Sequence, residues 1–162
     1  MKRYYKNDNK FISVASVWIS GGSKLDKPKK KGINYILCSL ITRGCKNYSN
    51  YRLTEYIYSH GGELNYETYE DGLLINIKSL KDYFVELFPI LELIIDKPKL
   101  EEKEFIKCKK NALNSILKSR ENPFNIVFQK WKKNVYLNHP YAHDCIGNHN
   151  DISNIEYKDI IS

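Results

Sequence analysis

The segment "LNYETYEDGLLINIK", Leu64 to Lys78, constrains this chain more than any other. Two β-prone runs, Leu64–Tyr69 and Leu73–Lys78, flank Asp71-Gly72, a pair suited to the left-handed backbone of a tight hairpin turn. The fold must therefore contain an antiparallel strand pair. Phe11–Ile19 alternates as well and reads as a further strand, one that can be covered on both faces and that Gly21-Gly22 ends.

The remaining segments read as helices. "KGINYILCSLITRG", Lys31 to Gly44, carries Ile33, Ile36, Leu37, Leu40 and Ile41 at helical steps, with Gly44 as its stop. A second set, Tyr35, Cys38, Ser39 and Thr42, recurs at the same steps on another face. Asn50–Ser59 forms a second helix with Leu53, Tyr56 and Ile57 on one side. A long helix starts at Ser79 and runs through Leu80, Phe84, Leu87, Leu91 and Ile94, with a kink or break expected at Pro89. Glu101–Lys118 follows, with acids in its first turn and lysines further on, as the helix dipole favours. Pro123 opens another helix to Leu137, His139-Pro140 and Gly147 mark a loop, and Ile155–Ser162 begins a last element. The order of strand, helix, helix, hairpin and helices predicts an α+β fold, an antiparallel sheet with helices packed on one face.

Composition narrows the function. The 162 residues suit one domain, and 42% hydrophobic with 28% charged residues reads as a globular protein. "ELFPILELII" is too short for a bilayer, which needs about 20 apolar residues, and the polar opening has no signal-peptide core behind it. A cytoplasmic, non-membrane protein is expected. The net charge of +7 sits in short runs, Lys27–Lys31, Lys107–Lys110 and Lys130–Lys133. Without a phosphate loop or nucleic-acid motif these read as solvated lysine faces, and no nucleic-acid partner is expected. Cys38, Cys45, Cys108 and Cys145 form no CxxC pair and read as reduced thiols. His139, His143, Cys145 and His149 lie at irregular spacing and read as a structural loop.

Several stretches taken in order resemble the inverzincin peptidases, the pitrilysin, insulinase and mitochondrial-processing-peptidase group. These are "SVASVWISGGSKLD", "KGINYILCSLITRGCKNY", "SHGGELNYETYEDGLLINI" and "NPFNIVFQKWKKNVYLNHPYAHDCIGNHNDISNIEYKDI". The resemblance implies a LuxS/metallohydrolase-like half domain. Residues 1–162 would be an N-terminal repeat that stops before its final helix and strands. Active members carry H-x-x-E-H on a helix, two histidines binding zinc and the glutamate serving as general base. Counted from Gly32, the histidine positions fall on Tyr35 and Ser39, the base on Cys38, and the third ligand, a later glutamate, on Ser115. The resemblance thus implies a degenerate site with no catalytic residue, no metal and no cofactor. It also makes Cys38 and Cys108 possible thiol neighbours, and Leu64, Asn65 and Tyr66 the strand edge along which an extended peptide would pair.

The function implied is an inactive subunit. It would complete the substrate chamber of, or scaffold, an active zinc-bearing H-x-x-E-H partner in a heterodimer. A self-associating or stand-alone structural or peptide-binding protein is the alternative, and an active zinc peptidase read in the wrong register is the third.

Overall fold

The computed structural model of the chain describes residues 11–161. Its sheet has the order β1-β3-β2, all antiparallel. β1 (Ile12–Ser20) runs along the whole of β3 (Gly72–Leu80), from Ile12 opposite Leu80 to Ser20 opposite Gly72. β2 (Glu63–Thr68) borders the other side of β3 and enters the hairpin with Thr68 opposite Leu73. The hairpin register keeps Leu73, Ile75 and Ile77 on one face, where all three are buried.

Three helices cover that face: α1 (Ile33–Ile41), α2 (Asn50–Ser59) and α3 (Lys81–Asp96). Leu53 and Ile57 bring α2 into the same core as Leu87, Ile90, Leu91 and Ile94 of α3. Of the kink or break expected at Pro89, the break does not occur, and α3 runs through it. Buried residues on both sides of Pro89 hold the helix on the sheet and outweigh the one lost backbone bond. The start at Ser79 also shifts, because Ser79 and Leu80 extend β3 opposite Ser13 and Ile12.

A second cluster lies on the other side of α1. Ile36 and Leu40 pack there with Phe105, Cys108, Ala112 and Ile116 of α4 (Glu102–Glu121). Ile152 and Ile155 close it, carried by α6 (His149–Asn154) and the turn before α7 (Tyr157–Ile161). The sequence pattern does not predict the short α6; the Asn148 side chain caps it by accepting from the Asp151 N–H. One end of α1 also differs: the helix stops at Ile41, before Gly44, where Thr42 donates to the Ser39 carbonyl.

With helices on one face only, β1 is not covered on both sides as its sequence allowed. Ala15 and Val17 pack on the core, while Ile12, Val14 and Trp18 on the opposite face are about half exposed. None of the described helices is long and apolar enough to cross a membrane.

α5 (Pro123–Tyr136) is built inside out. Its inward side chains are polar: Asn125 bonds to Ser119, Gln129 to Asp144, and Lys132 to Glu70. Phe124, Val127, Phe128, Trp131 and Val135 form an outward stripe at helical spacing, all exposed, with Phe128 stacked between Phe124 and Trp131.

The Lys132 ammonium is buried and lies 2.5 Å from Glu70 in the hairpin turn. Burial works to raise the Glu70 carboxyl, but the Lys132 hydrogen bond and charge outweigh it and hold the group below its usual 4.5. The pair's contribution is therefore complete above the unfolded-state carboxylate range and is lost as pH falls through the depressed folded value. Glu70→Leu, which leaves the buried ammonium with only the His143 carbonyl, is expected to destabilise by about 2–3 kcal/mol at pH 7. Parallel urea melts at pH 7 and pH 3 check this: the gap between wild type and variant should shrink at the lower pH.

Candidate functional site

The site is built on α1, and its position is set by the turn before the helix. Gly32 adopts φ +94 at the N-cap. The Asp26 carboxylate reaches back from the lysine-rich loop, accepting from Gly32 N–H at 2.6 Å and from the Asn34 side-chain amide at 2.7 Å. It satisfies open amides of the first turn from outside the helix. Burial pushes the Asp26 carboxyl up, against these hydrogen bonds, which lower it. No motif or spacing in the sequence singles out Asp26; its only signal is a lone acid among the lysines ahead of the helix.

From this start α1 aims Tyr35, Cys38 and Ser39 at β2 and α4. Ser39 is buried, with its hydroxyl 2.9 Å from the Tyr66 hydroxyl and donating to Cys108 Sγ at 3.3 Å. A serine has one O–H, so the order is Tyr66 donating to Ser39 and Ser39 donating to Cys108. Tyr35, half-buried, interacts through its phenol with Ser115 of α4; burial raises the phenol, and Ser115 opposes the rise. Tyr35, Ser39 and Ser115, from two helices, thus line one junction together with Tyr66 of β2 and Cys108.

Cys38 and Cys108, expected as possible neighbours, have different partners. Cys38 directs its thiol at the Glu67 carbonyl on β2 and belongs to the sheet core, whereas Cys108 belongs to the cluster beyond α1. Both are free thiols, as are Cys45 and Cys145. Burial pushes Cys38 and Cys145 up to about 11 and also raises Cys108 and Cys45. From the ordinary 9.0 to about 11 is roughly a hundredfold smaller thiolate fraction for Cys38. A thiol-disulfide colour reagent at pH 8 should therefore react slowly with the folded protein and promptly with all four thiols in denaturant. A fast-reacting equivalent assigned to Cys38 by peptide mapping would show that its pocket is not as described.

These donors do not fit zinc. Two phenols and two hydroxyls are poor ligands beside imidazole and carboxylate, Ser39 is already engaged on both sides, and the Cys38 thiol is held protonated. Among the described residues, no group of three His, Cys, Asp or Glu side chains is placed to hold a metal ion. His143 and Cys145 of the late loop both turn to Ser23, the ring toward its carbonyl and the thiol accepting from its hydroxyl at 3.2 Å. These contacts hold the loop against the turn that follows β1.

Tyr66 points inward to Ser39, with Leu64 on the same face of β2, while Asn65 faces out. No strand among the described residues pairs with the far edge of β2. Beside it, between α1, α2 and β2, is a cleft of about 270 Å³ bordered by Arg43, Asn50, Thr54, Tyr58, Leu64 and Tyr66.

An antiparallel sheet roofed on one face by helices, with a side-chain junction between α1, α4 and the hairpin, defines a two-layer α+β domain. The chain belongs to the insulinase family, peptidase family M16, whose sequence model matches residues 4–149. It is 22% identical over 151 residues to the non-peptidase homolog YmxG of Helicobacter pylori, covering 93% of this chain and 34% of that protein. It is 25% identical to the rat mitochondrial-processing peptidase subunit beta, covering 96% of this chain and 32% of that one. Mouse cytochrome b-c1 complex subunit 1 is 24% identical, with 91% and 31% covered. The fold matches the crystal structure of a peptidase M16 inactive domain from Pseudomonas fluorescens with a TM-score of 0.83 at 17% identity, covering 94% of this chain and 37% of that one. The chain spans about a third of the length of these relatives.

Proposed function

We propose that this chain acts as a non-catalytic M16 subunit, completing the substrate chamber of, or scaffolding, an active zinc-bearing H-x-x-E-H partner. The observation that supports this reading is the junction where Tyr35, Cys38, Ser39 and Ser115 come together, with Ser39 engaged by Tyr66 and Cys108. By the family spacing, Tyr35, Ser39 and Ser115 would stand at the ligand positions and Cys38 at that of the base. No carboxylate is left to take a proton from water. The edge of β2 at Leu64, Asn65 and Tyr66 would still offer main-chain pairing to an extended peptide, since pairing of that kind needs no catalytic group. Likeness to the processing-peptidase beta subunit supports a partner of the same family, and likeness to the b-c1 subunit favours the second reading, a structural subunit without a peptidase partner.

Affinity capture of the full-length product from its native lysate, with mass spectrometry of what is retained, separates the two. A near-stoichiometric protein with an intact H-x-x-E-H helix, and peptide cleavage by the pair but not by this chain, is the expected result. Capture without such a protein would favour the structural reading, and zinc-dependent cleavage by the chain alone would overturn both.

A further inference from the structure

Two of the three lysine runs meet at one place. Lys31, from the loop before α1, and Lys130 and Lys133, about a hundred residues later on α5, line the same open cavity, joined by Arg120 from the end of α4. The cavity has a volume of about 460 Å³, within the range of small-molecule sites. Among the described residues, none of these four cations is engaged in an ion pair. Asp144 is the one acid on the wall, and its carboxylate already accepts from Gln129 and from the Ile146 N–H. Ile116, Ile126 and Ile146 add an apolar lining, while Asn125 and Asn148 add neutral hydrogen-bonding groups.

The cation-rich wall is set by packing. Gly147 and Gly32 clamp the loop at 146–148 against Lys31: a Cβ on Gly147 would lie 2.2 Å from the Lys31 carbonyl, and one on Gly32 would lie 2.4 Å from the Ile146 carbonyl. With Asp144 counted, the wall keeps a net excess of three positive charges around one concavity, and a bound anion would offset it. We propose that this cavity binds a small phosphate-bearing polyanion, at a site separate from the α1–α4–β2 junction. The cations supply the charge, the amides orient the phosphates, and the isoleucines accept an apolar portion. The phosphate could be that of a soluble ligand or of a lipid headgroup, because the exposed aromatic stripe of α5 borders the same helix.

The test uses the full chain at 150 mM salt in two arms. One is calorimetric titration with inorganic tripolyphosphate; the other is co-sedimentation with phosphatidylcholine vesicles containing one-fifth phosphatidylinositol phosphate. The Arg120→Glu/Lys133→Glu variant is compared with Lys27→Glu/Lys110→Glu, which changes net charge equally on exposed lysines outside the cavity. Saturable binding in either arm, weakened at least tenfold by the first variant and under twofold by the second, supports the site, and the responding arm identifies the source. Absence of saturable binding in both arms, or equal weakening by both variants, overturns it. Neither result depends on the peptidase partner.

Discussion

Replacing Gly32 by valine is expected to lower the melting temperature by roughly 10 °C. Gly32 holds φ +94, a conformation that a β-branched residue adopts only under strain. Its missing Cβ also leaves room for the Ile146 carbonyl at 2.4 Å and the Ile152 side chain at 2.5 Å. The isoleucine tip could rotate away; the carbonyl belongs to a loop clamped at Gly147 and has no free direction. Strain and clash together should exceed about 3 kcal/mol, and in a domain of this size each kcal/mol moves the midpoint by about 2–4 °C. Thermal melts followed by far-ultraviolet circular dichroism decide it. A shift under about 3 °C would mean that the loop yields, and that the N-terminus of α1 is not fixed by it.

The second large effect is a gain of metal. If Tyr35, Ser39 and Ser115 stand at ligand positions, then Tyr35→His/Ser39→His/Ser115→Glu should retain one zinc per chain through gel filtration, measured by elemental analysis. Two imidazoles four residues apart on α1 and a carboxylate from α4 form a three-ligand set with an open fourth position. Zinc at about a hundred times its dissociation constant should stabilise the variant by about 2.7 kcal/mol, raising its midpoint by roughly 5–10 °C over the chelated form. Folded variant without stoichiometric zinc would show that the register is wrong. Adding Cys38→Glu then supplies a base, and trace peptide cleavage is expected only in that fourfold variant.

Much of this site was legible along one helix. The spacing of Tyr35, Cys38, Ser39 and Thr42 marked a second face of α1, and that face does meet β2 and α4. Ser115 was reached only through family spacing; in the fold it lies beside the Tyr35 phenol. What the spacing could not show is how these side chains are partnered across the fold. The Tyr66–Ser39–Cys108 relay joins three segments far apart in the chain, and Asp26 caps α1 from a loop whose local sequence reads simply as solvated charge.

The same division holds for the whole chain. Local periodicity and turn chemistry were enough for the hairpin about Asp71-Gly72, for α2, and for α4 and α5 to within a few residues, because backbone preference and side-chain period act over short distances. They also determined the layer order, since one apolar face per element leaves few ways to bury them. Tertiary contacts decided which faces look outward. α5 turns its aromatic stripe away because Asn125, Gln129 and Lys132 have partners on the body of the domain, and a buried ammonium demands one. Pro89 stays inside α3 because the sheet holds both flanks of the helix. Three cations from two distant lysine runs line one cavity because the loop at 146–148 is held to Lys31 by the glycine clamp and to α5 by the Gln129–Asp144 hydrogen bond. Such pairings depend on what lies across the fold, and no window of neighbouring residues contains that information.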